Sequence, residues 1–137
     1  VQPQQIKLVK STWKQVLPIA EQMFEMFYGR LVSLDPELNR LFTTDMTTQG
    51  RQWMAMLRRV VCKLDQFDEI APAVREAGRQ FPQYGIKNRD YDTVRDALLW
   101  TLSKGLDEEF TDVARKAWVE FYNLIAKNMK TAAMRAA

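Results

Sequence analysis

The chain has 137 residues, of which 47% are hydrophobic and 27% charged, with a formal net charge of +3. That length suits one domain, residues 1–137, able to bury its own core without disulfides or a structural metal. The lone Cys62 excludes an intrachain disulfide, and the mild charge excess gives no argument for a nucleic-acid partner.

Residues 4–16 place Ile6, Val9, Trp13 and Val16 near helical spacing, and Pro18 interrupts the pattern. Residues 19–34 predict a second helix with Met23, Phe24, Phe27 and Leu31 on one face. Asp35-Pro36 breaks it, because the residue before a proline leaves the α region, and a short helical turn follows over residues 36–41. The polar loop TTDMT at 43–47 leads to a cap at Thr47 or Thr48 and a strong helix over 49–64. Asp65 to Glu69 reads as a turn. Ile70 to Gln80 reads as a helix with Pro72 tolerated in its first turn; Pro82 ends it and Gly85 favours a turn. Asn88-Arg89-Asp90 leads into a helix over 91–106, with Gly105 as its expected terminator. Thr111 or Asp112 caps the last helix, 112–130, and the tail TAAMRAA either continues it or frays. No alternating strand pattern and no repeat is present. The fold class is all-α: six main helices plus short turns, packed helix on helix.

Chemistry-bearing motifs are sparse. The chain contains no histidine, the commonest general base near neutral pH. It has no CxxC cluster, Gly-rich phosphate loop or Ser-His-Asp set. The expectation is therefore a protein that is not an enzyme. Asp45, Asp65, Asp68 and Glu69 read as caps and solvated residues, and Arg58, Arg59 and Lys63 as a solvated helix face. Met46, Met54 and Met56 read as core filler, and Cys62 as a small buried residue. No apolar run approaches the ~18 residues of a membrane span and no signal peptide opens the chain, so a cytoplasmic address is expected. Val1 stands where an initiator Met is missing, so the chain is trimmed or a piece of a longer protein.

Six segments in order carry a resemblance. They are FYGRL with Tyr28, NRLF with Phe42, Gln49 with Trp53 one turn on, AGRQFPQYGI with Phe81, NRDYDTVRDALLWTLSKGLDEEFT with Tyr91, and AWVEFYNLIAKNM. Together, over about residues 5–129, they resemble the bacterial single-domain haemoglobins and the globin domain of flavohaemoglobins. The resemblance implies a globin fold. It implies a haem pocket at Tyr28 (distal hydroxyl), Phe42 (haem-stacking ring), Gln49 (distal amide), Trp53, Phe81 and Tyr91 (proximal-side tyrosine).

The chain departs from that pattern at the iron. Phe81 stands where the proximal histidine is expected, and a phenyl ring has no lone pair to coordinate a metal. Trp53 stands where a smaller apolar residue is usual. The tail has no glutamate of the kind that tunes the proximal histidine, and no reductase segment accompanies the globin part. An empty ~300 Å³ pocket would cost about 7 kcal/mol at ~24 cal/mol per Å³, so Phe81 and Trp53 are expected to fill it. The expected function is then a haem-free sensor or interaction module with a plugged pocket or an apolar small ligand. No cofactor is expected, and homodimerisation is expected through residues 90–129. The alternative is a haem-binding oxygen or nitric-oxide protein with unusual or missing proximal ligation, supported by Tyr28, Phe42 and Gln49.

Overall fold

A computed structural model describes residues 2–42, 55–80 and 87–136. Every regular element among them is helical.

Helix α1 spans Pro3–Val16. Proline suits its first position, where the backbone N–H has no partner anyway, and the Gln2 N–H donates to Gln5 Oε1 at 3.0 Å. Val9, Trp13 and Val16 form its buried stripe. A 3-10 turn at Leu17–Ile19, begun by Pro18, redirects the chain into α2, Ala20–Leu34. The buried residues of α2 are Met23, Phe24, Phe27 and Leu31, the face read from the sequence. Asp35 leaves the helix in an extended conformation, and its carboxylate accepts the Glu37 N–H at 3.1 Å. A 3-10 segment, Pro36–Phe42, follows.

Residues 55–62 form helix α3, with Val60 and Val61 buried. The 3-10 turn Leu64–Gln66 joins it to α4, Phe67–Gln80. Helix α4 begins three residues before the expected Ile70, which puts Pro72 inside the helix. The acidic Asp68 and Glu69 lie in the first turn, where carboxylates complement the helix dipole. Helix α5 spans Asn88–Leu106. It does not stop at Gly105: Asp107 closes it instead, with a positive φ of 48°. Helix α6 runs Asp112–Ala136, so the tail continues it. Thr111 caps it as expected, its hydroxyl accepting the Ala114 N–H at 3.1 Å.

Packing pairs α4 with α6 and α2 with α5, while α1 lies on α6. The α4–α6 approach depends on Gly78, because a Cβ there would sit 2.5 Å from the Met129 Cα. The main core gathers Trp13, Val60, Leu102, Trp118 and Phe121, among others, with Trp118 and Phe121 ring edge to face at 5.4 Å. A smaller cluster of Phe24, Phe27, Leu31, Leu38 and Ala97 sits between α2, the 3-10 segment and α5. Arg58, Arg59 and Lys63 are exposed, as expected. Cys62 is also exposed, contrary to expectation: it follows the buried pair Val60–Val61, and the next position on a helix turns away from such a face. Among the described residues, no helix is long and apolar enough to cross a membrane.

Candidate cofactor cavity

The two core clusters leave a cavity of about 150 Å³ between them. Helix α2 supplies Met23, Phe24 and Phe27; α3 supplies Met56, Leu57 and Val60. The opposite walls are Val94, Leu98 and Leu102 of α5 and Trp118, Phe121 and Ile125 of α6, with Trp13 and Val16 of α1 closing one end. Burial differs around the lining. On the α3 side Met56 is 40% exposed, whereas Trp118 of α6 is fully buried. At ~24 cal/mol per Å³ an empty cavity of this size costs about 3–4 kcal/mol. That is a large part of the ~5–15 kcal/mol by which domains are stable. The residues expected to fill the pocket, Phe81 and Trp53, lie outside the described residues; the described side chains leave a sizeable apolar cavity.

Polar groups on the wall are few. Asp90 is buried, and its carboxylate accepts the Lys87 N–H at 2.8 Å, capping α5. The Thr101 hydroxyl donates to the Ala97 carbonyl at 2.7 Å. Tyr122 donates to the Tyr91 carbonyl at 2.6 Å, tying α6 to the first turn of α5. Burial pushes the Tyr91 hydroxyl up to about 12. Burial first, then the neighbouring Tyr91, pushes Tyr122 up as well. Both phenols therefore keep their protons at neutral pH. Lys130 Nζ stands 5.2 Å from the Tyr91 ring centroid, a cation–π contact. Two residues of this wall, Trp13 and Trp118, have indole N–H groups buried away from it without an acceptor. A buried donor left unpaired costs about 1–3 kcal/mol, and native proteins leave few of them. The sequence places Trp13 on a buried helix face, but it carries no sign that either indole lacks a partner.

Of the six expected pocket residues, Tyr91 lies on the cavity wall. Tyr28 does not. It packs against the smaller cluster, and its hydroxyl donates to Asn39 Oδ1 in the following 3-10 segment. Phe42 ends that segment; its side chain, with Gln49, Trp53 and Phe81, lies outside the described residues, as do Met46 and Met54. Met56, expected as core filler, instead stands half in solvent on the cavity lining. Among the described residues, no three Cys, Asp or Glu side chains gather to hold a bare metal ion.

The sequence matches the Globin family over residues 25–129. It is 29% identical over 123 residues to a flavohemoprotein of Halalkalibacterium halodurans, covering 88% of this chain and 30% of that protein. It is 26% identical to a flavohemoprotein of Vibrio cholerae (89% and 32% covered) and 28% identical to one of Bacillus subtilis (88% and 31%). The chain thus spans about a third of the length of these relatives. An engineered carbene transferase from Rhodothermus marinus, assigned as a nitric oxide dioxygenase, superimposes with a TM-score of 0.88 at 18% identity, covering 98% of this chain and 94% of that one.

These likenesses correct three expectations. The relatives are flavohemoproteins, so the haem-free reading and the expectation of no cofactor give way to a globin of the haem-binding kind. The flavohemoprotein relatives likewise remove the basis for expecting a non-enzyme. The wall fits such a group: it is apolar and contributed by five helices. Its donors are the thioethers of Met23, Met56 and Met129 and the protonated phenols of Tyr91 and Tyr122. None is an imidazole, since the chain has no histidine.

Proposed function

We propose that this chain, which belongs to the globin family, binds haem in the cavity and serves oxygen or nitric-oxide chemistry without an imidazole from the protein. The observation that carries the reading is the apolar cavity between α2, α3, α5 and α6, whose emptiness would cost several kcal/mol. Phe24, Phe27, Leu57, Val94 and Leu98 would hold the group by contact and exclude water from it. Haem, when bound, supplies an iron that coordinates a diatomic ligand. The described wall offers no phenolate to compete for that iron, because burial keeps Tyr91 and Tyr122 protonated. Tyr28 already gives its proton to Asn39; a ligand near it would compete with that amide for the hydroxyl. Conversion of nitric oxide to nitrate at the expense of oxygen is the activity this reading implies, with one electron consumed per nitrate formed.

Haem titration of the purified chain tests the proposal. The expected result is one-to-one saturation with a sharp Soret band. Phe81→His is expected to tighten binding and give the spectrum of an imidazole-bound iron. Spectra of free haem for both proteins would refute the proposal. Oxygen-dependent loss of nitric oxide, followed with a chemical reductant present, then tests the activity.

A further inference from the structure

Helix α6 has two faces. One is buried against α1, α4 and α5. The other is an outward stripe of Val113, Glu120, Lys127 and Met134, which recur every seventh residue. Val113 is 65% exposed and Met134 73%, the two most exposed large apolar side chains among the described residues. Lys127 is exposed and Glu120 half-exposed. Among the described residues neither forms an ion pair, whereas Lys10 pairs with Asp65 and Lys63 with Glu69.

Two properties of the stripe say what fits it. A strict seven-residue repeat drifts by about 20° per heptad on a straight helix, and a second helix crossing at about +20° follows that drift. The stripe is long enough for such a partner: at ~1.5 Å per residue, Val113 and Met134 stand about 32 Å apart. Its order is apolar, acidic, basic, apolar, which is its own complement when the direction is reversed. An antiparallel copy therefore sets Val113 level with Met134, Glu120 with Lys127 and Lys116 with Thr131, each pairing made twice by the two-fold axis. Asn123 stands beside that axis, where an amide both donates and accepts. A parallel copy would oppose Glu120 to Glu120 and Lys127 to Lys127.

We propose that the outward face of α6 docks a second copy of this chain, as an antiparallel two-fold pair of α6 helices. Val113 and Met134 close the seam at each end, and Glu120 and Lys127 fix its register and direction. This places the homodimer expected over residues 90–129 on one face of α6, and it is independent of the cavity and of what the cavity holds. A single pair of helices buries less than the ~1,200 Å² of a standard interface, so the dimer is weak and depends on concentration.

Sedimentation velocity of the full chain, from about 10 µM to about 1 mM, tests the proposal. The expected result is a reversible shift from monomer to dimer. Glu120→Lys and Lys127→Glu are each expected to weaken the dimer roughly fivefold or more, because two attractive contacts become repulsive. The first raises the net charge and the second lowers it, so a general charge effect would move them in opposite directions. An equal mixture of the two variants is expected to dimerise again, since every opposed pair is then unlike. Met134→Ser is expected to weaken the dimer as well. Thermal midpoints of all three variants are expected to match the wild type, which separates lost docking from lost folding. A monomer at every concentration overturns the proposal and leaves the face to a different protein. A dimer indifferent to both charge reversals overturns it too, as does a mixture no tighter than either variant alone.

Discussion

Alanine placed at three glycines of the same fold is expected to give three different outcomes. At Gly78 a Cβ meets backbone: it would stand 2.5 Å from the Met129 Cα and 2.8 Å from its carbonyl carbon. Ordinary contact begins near 3.4 Å, so α4 and α6 must separate by about 1 Å. A gap of that size forfeits roughly a quarter to a half of each dispersion contact along the seam. Overpacking of this kind costs about 1–3 kcal/mol, against the ~1 kcal/mol that alanine gains over glycine in a helix. The expected net effect of Gly78→Ala is a loss of up to about 2 kcal/mol. At Gly105 the obstacle is the sulfur end of Met23, a flexible side chain that can turn aside, so the net change is expected within about 1 kcal/mol of zero. At Gly29 nothing lies within 4 Å, and alanine is expected to stabilise by about 0.5–1 kcal/mol. Urea unfolding followed by far-ultraviolet circular dichroism gives all three from midpoints at constant slope. A Gly78→Ala chain more stable than the wild type, or an order other than Gly29, Gly105, Gly78, would refute the steric account.

Asp107→Gly is expected to raise stability by about 1 kcal/mol, because φ of 48° strains a side chain and not glycine; an unchanged thermal midpoint would count against it. Thr111→Ala removes the acceptor of the Ala114 N–H and is expected to cost about 1 kcal/mol, with Thr111→Ser restoring most of it. Stability is expected to fall in alkali. Tyr91 holds its proton to about 12 in the folded chain against 10.0 for the ordinary side chain, and Tyr122 is raised too. The contribution is therefore complete below pH 10 and lost as pH rises through about 12. Urea midpoints at pH 8 and pH 11 measure it, and Tyr91→Phe should flatten the slope.

Much of the architecture was legible because it rests on local rules. The buried face of α2 follows from spacing alone, the break at Asp35-Pro36 from proline sterics, and the start of α6 from the hydroxyl of Thr111. The misreadings lie where long-range packing decides. Gly105 looks like a helix terminator, but the helix runs on through Leu106 with Met23 of α2 against it; no local pattern records that contact. Cys62 shares its neighbourhood with Val60 and Val61 yet turns outward. The Tyr28 hydroxyl donates to Asn39, eleven residues on, a contact that helical spacing does not announce. The orphan indoles were invisible for the same reason, since a missing partner is a property of the assembled core.

Trp13 and Trp118 face one cavity from positions 105 residues apart. At roughly 5–20 residues per second, a ribosome takes on the order of 5–20 s to cover that distance. Throughout that interval the buried stripe of α1, Val9, Trp13 and Val16, lacks α6, the helix it packs on in the finished fold. The nascent chain thus carries an open apolar face that a chaperone can hold. The cavity gains its α6 wall only after α6 docks, which makes loading of any ligand there a step that follows synthesis.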